Sequence, residues 1–220
     1  WDRSLPAPMI IAIDGTTASG KGTIAKRLSA HYGLPHMDTG RLYRATGVAA
    51  MRAGVALDDA DGVAAVARSL DLADFDEADL RTAEAGKAAS VVAAIPEVRQ
   101  ALFELQRAFA TQPLGALLDG RDIGTIIAPE ADAKLWVDAS VEVRGARRWK
   151  ELCGQGSDLA LETVIEQLRV RDQRDQSRKD APAEMAADAV LIDTTDLTIE
   201  AAVEKAIAAV EAAMARGNRA

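Results

Sequence analysis

One stretch constrains this chain more than any other. Met9-Ile10-Ile11-Ala12-Ile13 is an apolar run that breaks at Asp14 into Gly15-Thr16-Thr17-Ala18-Ser19-Gly20-Lys21-Gly22-Thr23. A helical pattern through Ala25, Leu28 and His31 follows. Strand, glycine-closed loop and helix in that order form a cradle for phosphate. Gly15 and Gly20 allow a turn tight enough for successive backbone N–H groups to point inward. The helix beginning near Lys21 adds the positive end of its dipole, and Lys21 adds a mobile point charge. Gly22 separates Lys21 from the hydroxyl of Thr23, whereas the common ending places Ser or Thr directly after Lys. Gly15, Thr16, Thr17, Ala18, Ser19, Gly20, Lys21, Gly22 and Thr23 are therefore the expected contacts of a nucleoside triphosphate.

The rest of the chain repeats the alternation that this unit begins. Apolar runs recur at Pro35–Met37, Leu114–Leu118, Ala133–Val137 and Ala189–Ile192, with helical patterns between them. That order predicts a parallel sheet of about five strands between helical layers, a three-layer α/β/α fold. Ligands in such sheets lie beyond the carboxyl ends of the strands. Five acids stand there, Asp14, Asp38, Asp119, Asp138 and Asp193. Helices are expected over Gly40–Gly54, Leu57–Leu70, Thr82–Ala94, Pro96–Phe109, Ser140–Leu152, after Ser157 through Arg174, and from Ile199 to before Gly217. Leu72–Leu80 reads as an acidic connector, and Cys153–Ser157, with two glycines, as a joint.

Composition limits the partners. At 220 residues the chain suits one α/β domain over 9–220, and residues 1–8 read as a tag remnant or disordered tail. A net charge of −8 argues against a broad nucleic-acid surface. No run is long and apolar enough for a membrane span. Cys153 stands alone, which fits a reducing cytoplasm, the expected compartment, and a monomer is the expected state. The 19 arginines against seven lysines gather in Arg144–Arg148 and Arg169–Arg178, and arginine's fork suits bidentate phosphate binding.

Three further segments carry chemistry. Asp38-Thr39-Gly40-Arg41-Leu42-Tyr43-Arg44 places two arginines and a tyrosine at a helix start. Arg44 reads as a phosphate contact, while Arg41 is divided between site and surface. Leu118-Asp119-Gly120-Arg121-Asp122-Ile123-Gly124-Thr125 is a strand end that opens into a charged loop. Arg121 can clamp a phosphate there, and Asp122 can accept from an exocyclic amine, as acids do with cytosine N4. Along Arg169–Asp180, Arg171, Asp175 and Arg178 share a helix face, with Arg174 beside them. A solvated salt-bridge ladder is the competing reading of that face. His31 and His36 read as structural, and no nucleophilic or metal-binding constellation is present.

Together these segments resemble bacterial cytidylate kinase, the (d)CMP kinase branch of the nucleoside monophosphate kinases. The resemblance runs from Ile10 to Tyr43-Arg44, through Arg81-Thr82 to Val98-Arg99, across Asp119–Thr125, and from Arg171 to the last helix. It implies a core of about 9–40, 112–145 and 186–217, a monophosphate-binding segment of about 41–111 and a lid of about 146–185. It further implies ATP and Mg²⁺ at the phosphate loop, with Thr23 the one candidate side-chain metal ligand. Thr39, Tyr43, Arg44, Arg121 and Arg178 would surround the CMP phosphate. Ser90, Arg99 and Asp122 would read cytosine, and Arg171 with Asp175 would hold the sugar of CMP or dCMP. Lys21, Arg121, Arg174 and Arg178 would carry the transfer, with Arg147 and Arg148 on the ATP side in the closing lid. The chain departs from the family pattern in three places. Thr16-Thr17-Ala18-Ser19 replaces the common Pro-Ser-Gly-Ala, Thr39 replaces Ser, and 73–80 is too short for the small antiparallel sheet that many members insert. The alternatives are another small-molecule kinase, acting on UMP, AMP or shikimate, and a nucleotide-driven switch. No guanine-reading Asn-Lys-x-Asp segment supports the switch.

Overall fold

The computed structural model describes residues 8–217, so the expectation for the first seven residues lies outside them. Five strands, β1 (Ile10–Gly15), β2 (His36–Asp38), β3 (Ala116–Asp119), β4 (Ala133–Asp138) and β5 (Val190–Asp193), form one parallel sheet in the order β2-β3-β1-β4-β5. Parallel strands are covered on both faces, which is why β1 and β3 read as unbroken apolar runs rather than alternating ones. Ile11, Ala12 and Ile13 are fully buried.

The helices are α1 (Lys21–Tyr32), α2 (Thr39–Arg52), α3 (Ala60–Arg68), α4 (Glu77–Leu80), α5 (Ala83–Val92), α6 (Pro96–Ala110), α7 (Val141–Gly154), α8 (Leu161–Gln176) and α9 (Ile199–Gly217). One face of the sheet packs on α1 and α9 through Ile24, Leu28, Ala206 and Val210. The other packs on α6 and the turn at Ile123–Ile127 through Phe103, Ala110 and Ile127. A further core joins α2, α3, α5 and α6, with Leu42, Val63, Val92, Val98 and Leu102 at its centre. Helices α7 and α8 pack against each other beyond β4.

Local signals place most boundaries. Ser140 caps α7 by accepting from the Val143 N–H at 3.3 Å, and Pro96 opens α6, where its missing N–H costs nothing. Asp59 accepts from the Gly62 N–H, so α3 starts at Ala60 rather than Leu57. β3 starts two residues later than its apolar run, because Gly115 takes φ 75° and leaves Leu114 exposed. The connector at 72–80 is more ordered than its acids suggest. It forms a 3₁₀ turn at Leu72–Asp74 and the single turn of α4, pinned by buried Phe75 and Leu80 against Ala45, Val48 and Ala85.

The strand order puts β1 at the centre, with β3 on one side and β4 on the other. The crevice where the connections diverge therefore lies at the carboxyl end of β1, where the glycine-closed loop begins.

Candidate active site

The crevice is a cleft of about 1460 Å³ at the carboxyl ends of the strands. The loop between β1 and α1 forms one end of it. Gly15 takes φ 148°, and a Cβ there would stand 1.9 Å from the Val137 carbonyl oxygen, so no side chain fits. Gly20 takes φ 92° and hands the chain to α1. Ala18 stands at φ 63°, a left-handed conformation unusual for a residue with a Cβ. Two hydroxyls brace the loop around it. Thr16 Oγ1 donates to Asp138 at 2.6 Å, and Ser19 Oγ donates to the Thr16 carbonyl at 2.9 Å.

Lys21 Nζ lies 2.6 Å from Asp119 Oδ1, and His36 Nε2 lies 2.7 Å from Asp119 Oδ2. Burial alone would raise the Asp119 pKa, but the Lys21 charge and the two hydrogen bonds outweigh it and hold the carboxyl far below its ordinary range. Asp119 thus spends both oxygens inside the protein. His36, read from the sequence as structural, also lines the cleft.

Asp14, which the sequence marked only as a strand-end acid, organises the neighbouring loop. Its Oδ1 accepts from Ile123 N and its Oδ2 from Gly124 N, each at 2.8 Å. These bonds seat the turn at Ile123–Ile127 and so aim Arg121 and Asp122 into the cleft. Burial raises the Asp14 pKa to about 7 despite the two N–H donors.

Arg121 and Asp122 do not pair with each other. Arg121 Nη2 donates to Thr17 Oγ1 at 2.6 Å, and its Nε lies 3.3 Å from Asp175 Oδ2. Asp122 is paired instead with Arg99 from α6. Burial raises the Asp122 pKa, against the opposing fields of Arg99, Arg178 and Arg121. The Arg99 guanidinium also lies 5.7 Å from the Tyr43 ring centroid.

The arginine-rich face of α8 is not a solvated ladder. Asp175 is 3% exposed and ion-pairs with Arg178, Arg121 and Arg171. Those guanidinium groups more than offset its burial and lower its pKa. Arg171 Nε and Arg178 Nε are buried without a hydrogen-bond acceptor. Burial, then the fields of Arg121, Arg44 and Arg148, brings the Arg171 pKa down to about 10, opposed by Asp175. More buried cation than buried anion, with donors unspent, fits an anionic ligand.

The remaining expected residues divide. Thr39 Oγ1 donates to the Asp119 carbonyl, Arg44 pairs with Asp38 at 2.6 Å, and Arg174 Nη1 reaches Ser90 Oγ at 3.0 Å across the cleft from α8 to α5. Tyr43, Thr17, Gly22, Thr23 and Arg148 line the cleft as well. Ser19 and Arg147 turn their side chains elsewhere. Arg147 donates to the Thr194 carbonyl at 2.7 Å and to the Ser19 carbonyl at 3.4 Å, which fastens the loop to the segment after β5. Arg41 lies toward Glu77 and the Phe75 carbonyl. Arg144 enters the sequence reading only within the Arg144–Arg148 cluster, and Asp172 has no role there. Buried Arg144 donates to Asp172 at 2.6 Å and to the Thr17 carbonyl at 3.3 Å, which joins α7, α8 and the phosphate loop.

A phosphate cradle facing a second group of buried guanidiniums gives two phosphorylated ligands a shared cleft, the layout of a phosphate-loop kinase for a small acceptor. Two solved structures share the fold. A gluconokinase structure from Sinorhizobium meliloti superposes with a TM-score of 0.51 at 13% identity, covering 95% of each chain. An uncharacterised protein from Eubacterium ventriosum superposes with a TM-score of 0.52 at 15% identity, covering 92% of this chain and 98% of that one. The cytidylate kinase family model matches residues 11–212, and the chain belongs to that family. It is 58% identical to the cytidylate kinase of Methylocella silvestris, over 93% of this chain and 95% of that protein. It is 55% identical to that of Caulobacter vibrioides, over 94% and 97%.

Proposed function

We propose that the protein transfers the γ-phosphoryl group of ATP to CMP, giving ADP and CDP, and accepts dCMP as well. The family membership supports this reading, and the observation that carries it within the cleft is the paired Arg99 and Asp122 beside the Arg121–Arg171–Arg178–Asp175 cluster. Cytosine presents an N4 amine beside the N3 acceptor, which a carboxylate and a guanidinium match.

An oxygen of the CMP phosphate, already ionised with a second pKa of about 6, attacks the γ-phosphorus as the bond to the β-phosphate oxygen of ADP breaks. No side chain needs to act as nucleophile or base. The protein's work is positioning and charge stabilisation in a closed site. Lys21 and the loop N–H groups would hold the ATP phosphates. Arg44, Arg121 and Arg178 would hold the acceptor phosphate, Ser90, Arg99 and Asp122 the base, and Arg171 with Asp175 the sugar. Arg174 and Arg148 would close over the donor. Mg²⁺ suits this site as an ion borne by the nucleotide, because phosphate and water oxygens supply most of its ligands. Thr23, on the first turn of α1 and lining the cleft, is the hydroxyl that would meet it. When bound, Mg²⁺ would supply charge neutralisation on the phosphates during transfer. The segments 41–111 and 146–185 would close on the core, in a cytoplasmic monomer.

A coupled assay of ADP release across CMP, dCMP, UMP, AMP and shikimate tests the reading. CMP and dCMP should give the highest kcat/KM, and a preference for UMP, AMP or shikimate would reject it.

A further inference from the structure

We propose that His36 is a positioning residue for phosphoryl transfer, acting through Asp119 on Lys21. The inference rests on the kinase reading above and concerns a residue that it leaves unused. His36 begins β2, and its ring reaches across to the end of β3, where Nε2 lies 2.7 Å from Asp119 Oδ2. The other carboxylate oxygen holds Lys21 Nζ at 2.6 Å. The Asp119 side chain is 3% exposed, so solvent does not compete for either oxygen. Thr39, just past β2, grips the Asp119 carbonyl at 2.8 Å. Backbone and side chain of Asp119 are therefore both held from the β2–α2 corner.

This arrangement divides one carboxylate between two donors. With His36 in place, one oxygen is committed and the plane of the carboxylate is fixed, so Lys21 meets a single oxygen at a defined angle. An apolar residue at 36 would leave Oδ2 buried without a donor, which such groups do not tolerate. The carboxylate would then turn to present both oxygens to Lys21. An ammonium held that way is withdrawn from the outer phosphates, and its help is needed most as charge moves in the transition state. Among the described residues, Arg44, Arg121 and Arg178, which would hold the acceptor phosphate, form no hydrogen bond or ion pair with His36, whose ring is bonded to Asp119. The effect should therefore fall on turnover more than on CMP binding.

The test compares wild type with His36→Leu, His36→Met and His36→Gln, a series in which only Gln retains an N–H donor. Steady-state kinetics with ATP and CMP give kcat and the KM for CMP. The Lys21 Cε–Nζ NMR signal of labelled protein reports the lysine's environment without turnover. The Leu and Met variants should lose kcat by about tenfold, on the order of one hydrogen bond to a charged group. Their KM for CMP should change less than threefold, and Gln should restore most of kcat. The Lys21 signal should move in Leu and Met and stay near its wild-type position in Gln. If all three variants match wild type in kcat, or if Gln loses as much as Leu and Met, the inference falls. Failure of both apolar variants to fold would make His36 a fold determinant and would equally overturn it. Wild-type turnover in the same assay separates the readings. If wild type does not phosphorylate CMP, the kinase reading fails, and the NMR comparison still decides whether His36 controls Lys21.

Discussion

Arg99 on α6 and Asp122 on the loop after β3 are 23 residues apart and close an ion pair whose side chains are only 10% and 7% exposed. Arg121, the neighbour of Asp122, reaches away from it to Thr17 and Asp175. Under the proposed reading these two adjacent charges would serve opposite ends of one acceptor, and the base end carries the first prediction. Against uracil, Asp122 would face O4, acceptor to acceptor, and Arg99 would face N3–H, donor to donor. Unpaired buried groups of this kind discriminate by factors of up to about 10⁴. Wild type should use UMP poorly, and Asp122→Asn or Asp122→Ala should narrow the CMP/UMP ratio of kcat/KM, mainly by losing CMP. An unchanged ratio would place cytosine recognition elsewhere.

Asp175→Ala should impair both stability and activity. A solvated ladder residue would cost about 0.3–0.5 kcal/mol. Asp175 is buried among Arg121, Arg171 and Arg178, and its removal leaves those charges uncompensated at about 3–5 kcal/mol. Urea titration should show the larger loss. If this carboxylate holds the sugar, the CMP/dCMP ratio of kcat/KM will shift too, since only CMP has a 2′-hydroxyl.

Lys21→Ala should lower kcat at least about a hundredfold, as expected for one charged stabiliser of the transition state. The fold should survive, because Asp119 keeps its bond to His36. Circular dichroism alongside kinetics separates the two effects, and near-normal turnover in the folded variant would remove Lys21 from the chemistry.

The raised pKa of Asp14 sets a pH dependence with a definite sign. The folded protein holds this proton up to about 7, whereas the unfolded chain releases it near 3.8. Between those values the folded state binds more protons, so stability from this group is full below about pH 4 and declines as pH rises towards 7. Asp14→Asn does not titrate and should flatten that decline, by a few kcal/mol at most. Denaturation midpoints from pH 4 to pH 8 check it, and an unaltered slope in the variant would assign the decline to another group.

Ala18→Gly should relieve the left-handed backbone at φ 63°. The strain is worth about 1 kcal/mol, partly cancelled by glycine's greater freedom in the unfolded chain. The expected gain is below about 1 kcal/mol, roughly 2 °C in Tm. A lower Tm would mean that the Ala18 methyl is held by favourable contacts.

The sequence by itself determined the sheet class, the phosphate loop and the helix faces, because these depend on short-range pattern. An apolar run ending in Asp14, the glycines at 15 and 20, and the three-and-four spacing of Arg171, Arg174, Asp175 and Arg178 are each read within a few residues. Family resemblance extended that reading to Ser90 and Arg99, which no local pattern marks. Only the tertiary structure decided how charges are shared. Asp119 could be read as a strand-end acid, but parallel pairing of β2 with β3 was needed to bring His36 to it. Likewise, Asp14 meets Ile123 and Gly124 across 109 and 110 residues, and Arg147, placed in a lid by the family resemblance, is spent on the carbonyls of Ser19 and Thr194. Helical periodicity fixes which side chains share a face. The partner of a buried charge depends on which distant element the sheet order brings alongside, because desolvation obliges each such group to find a counterpart wherever the fold supplies one.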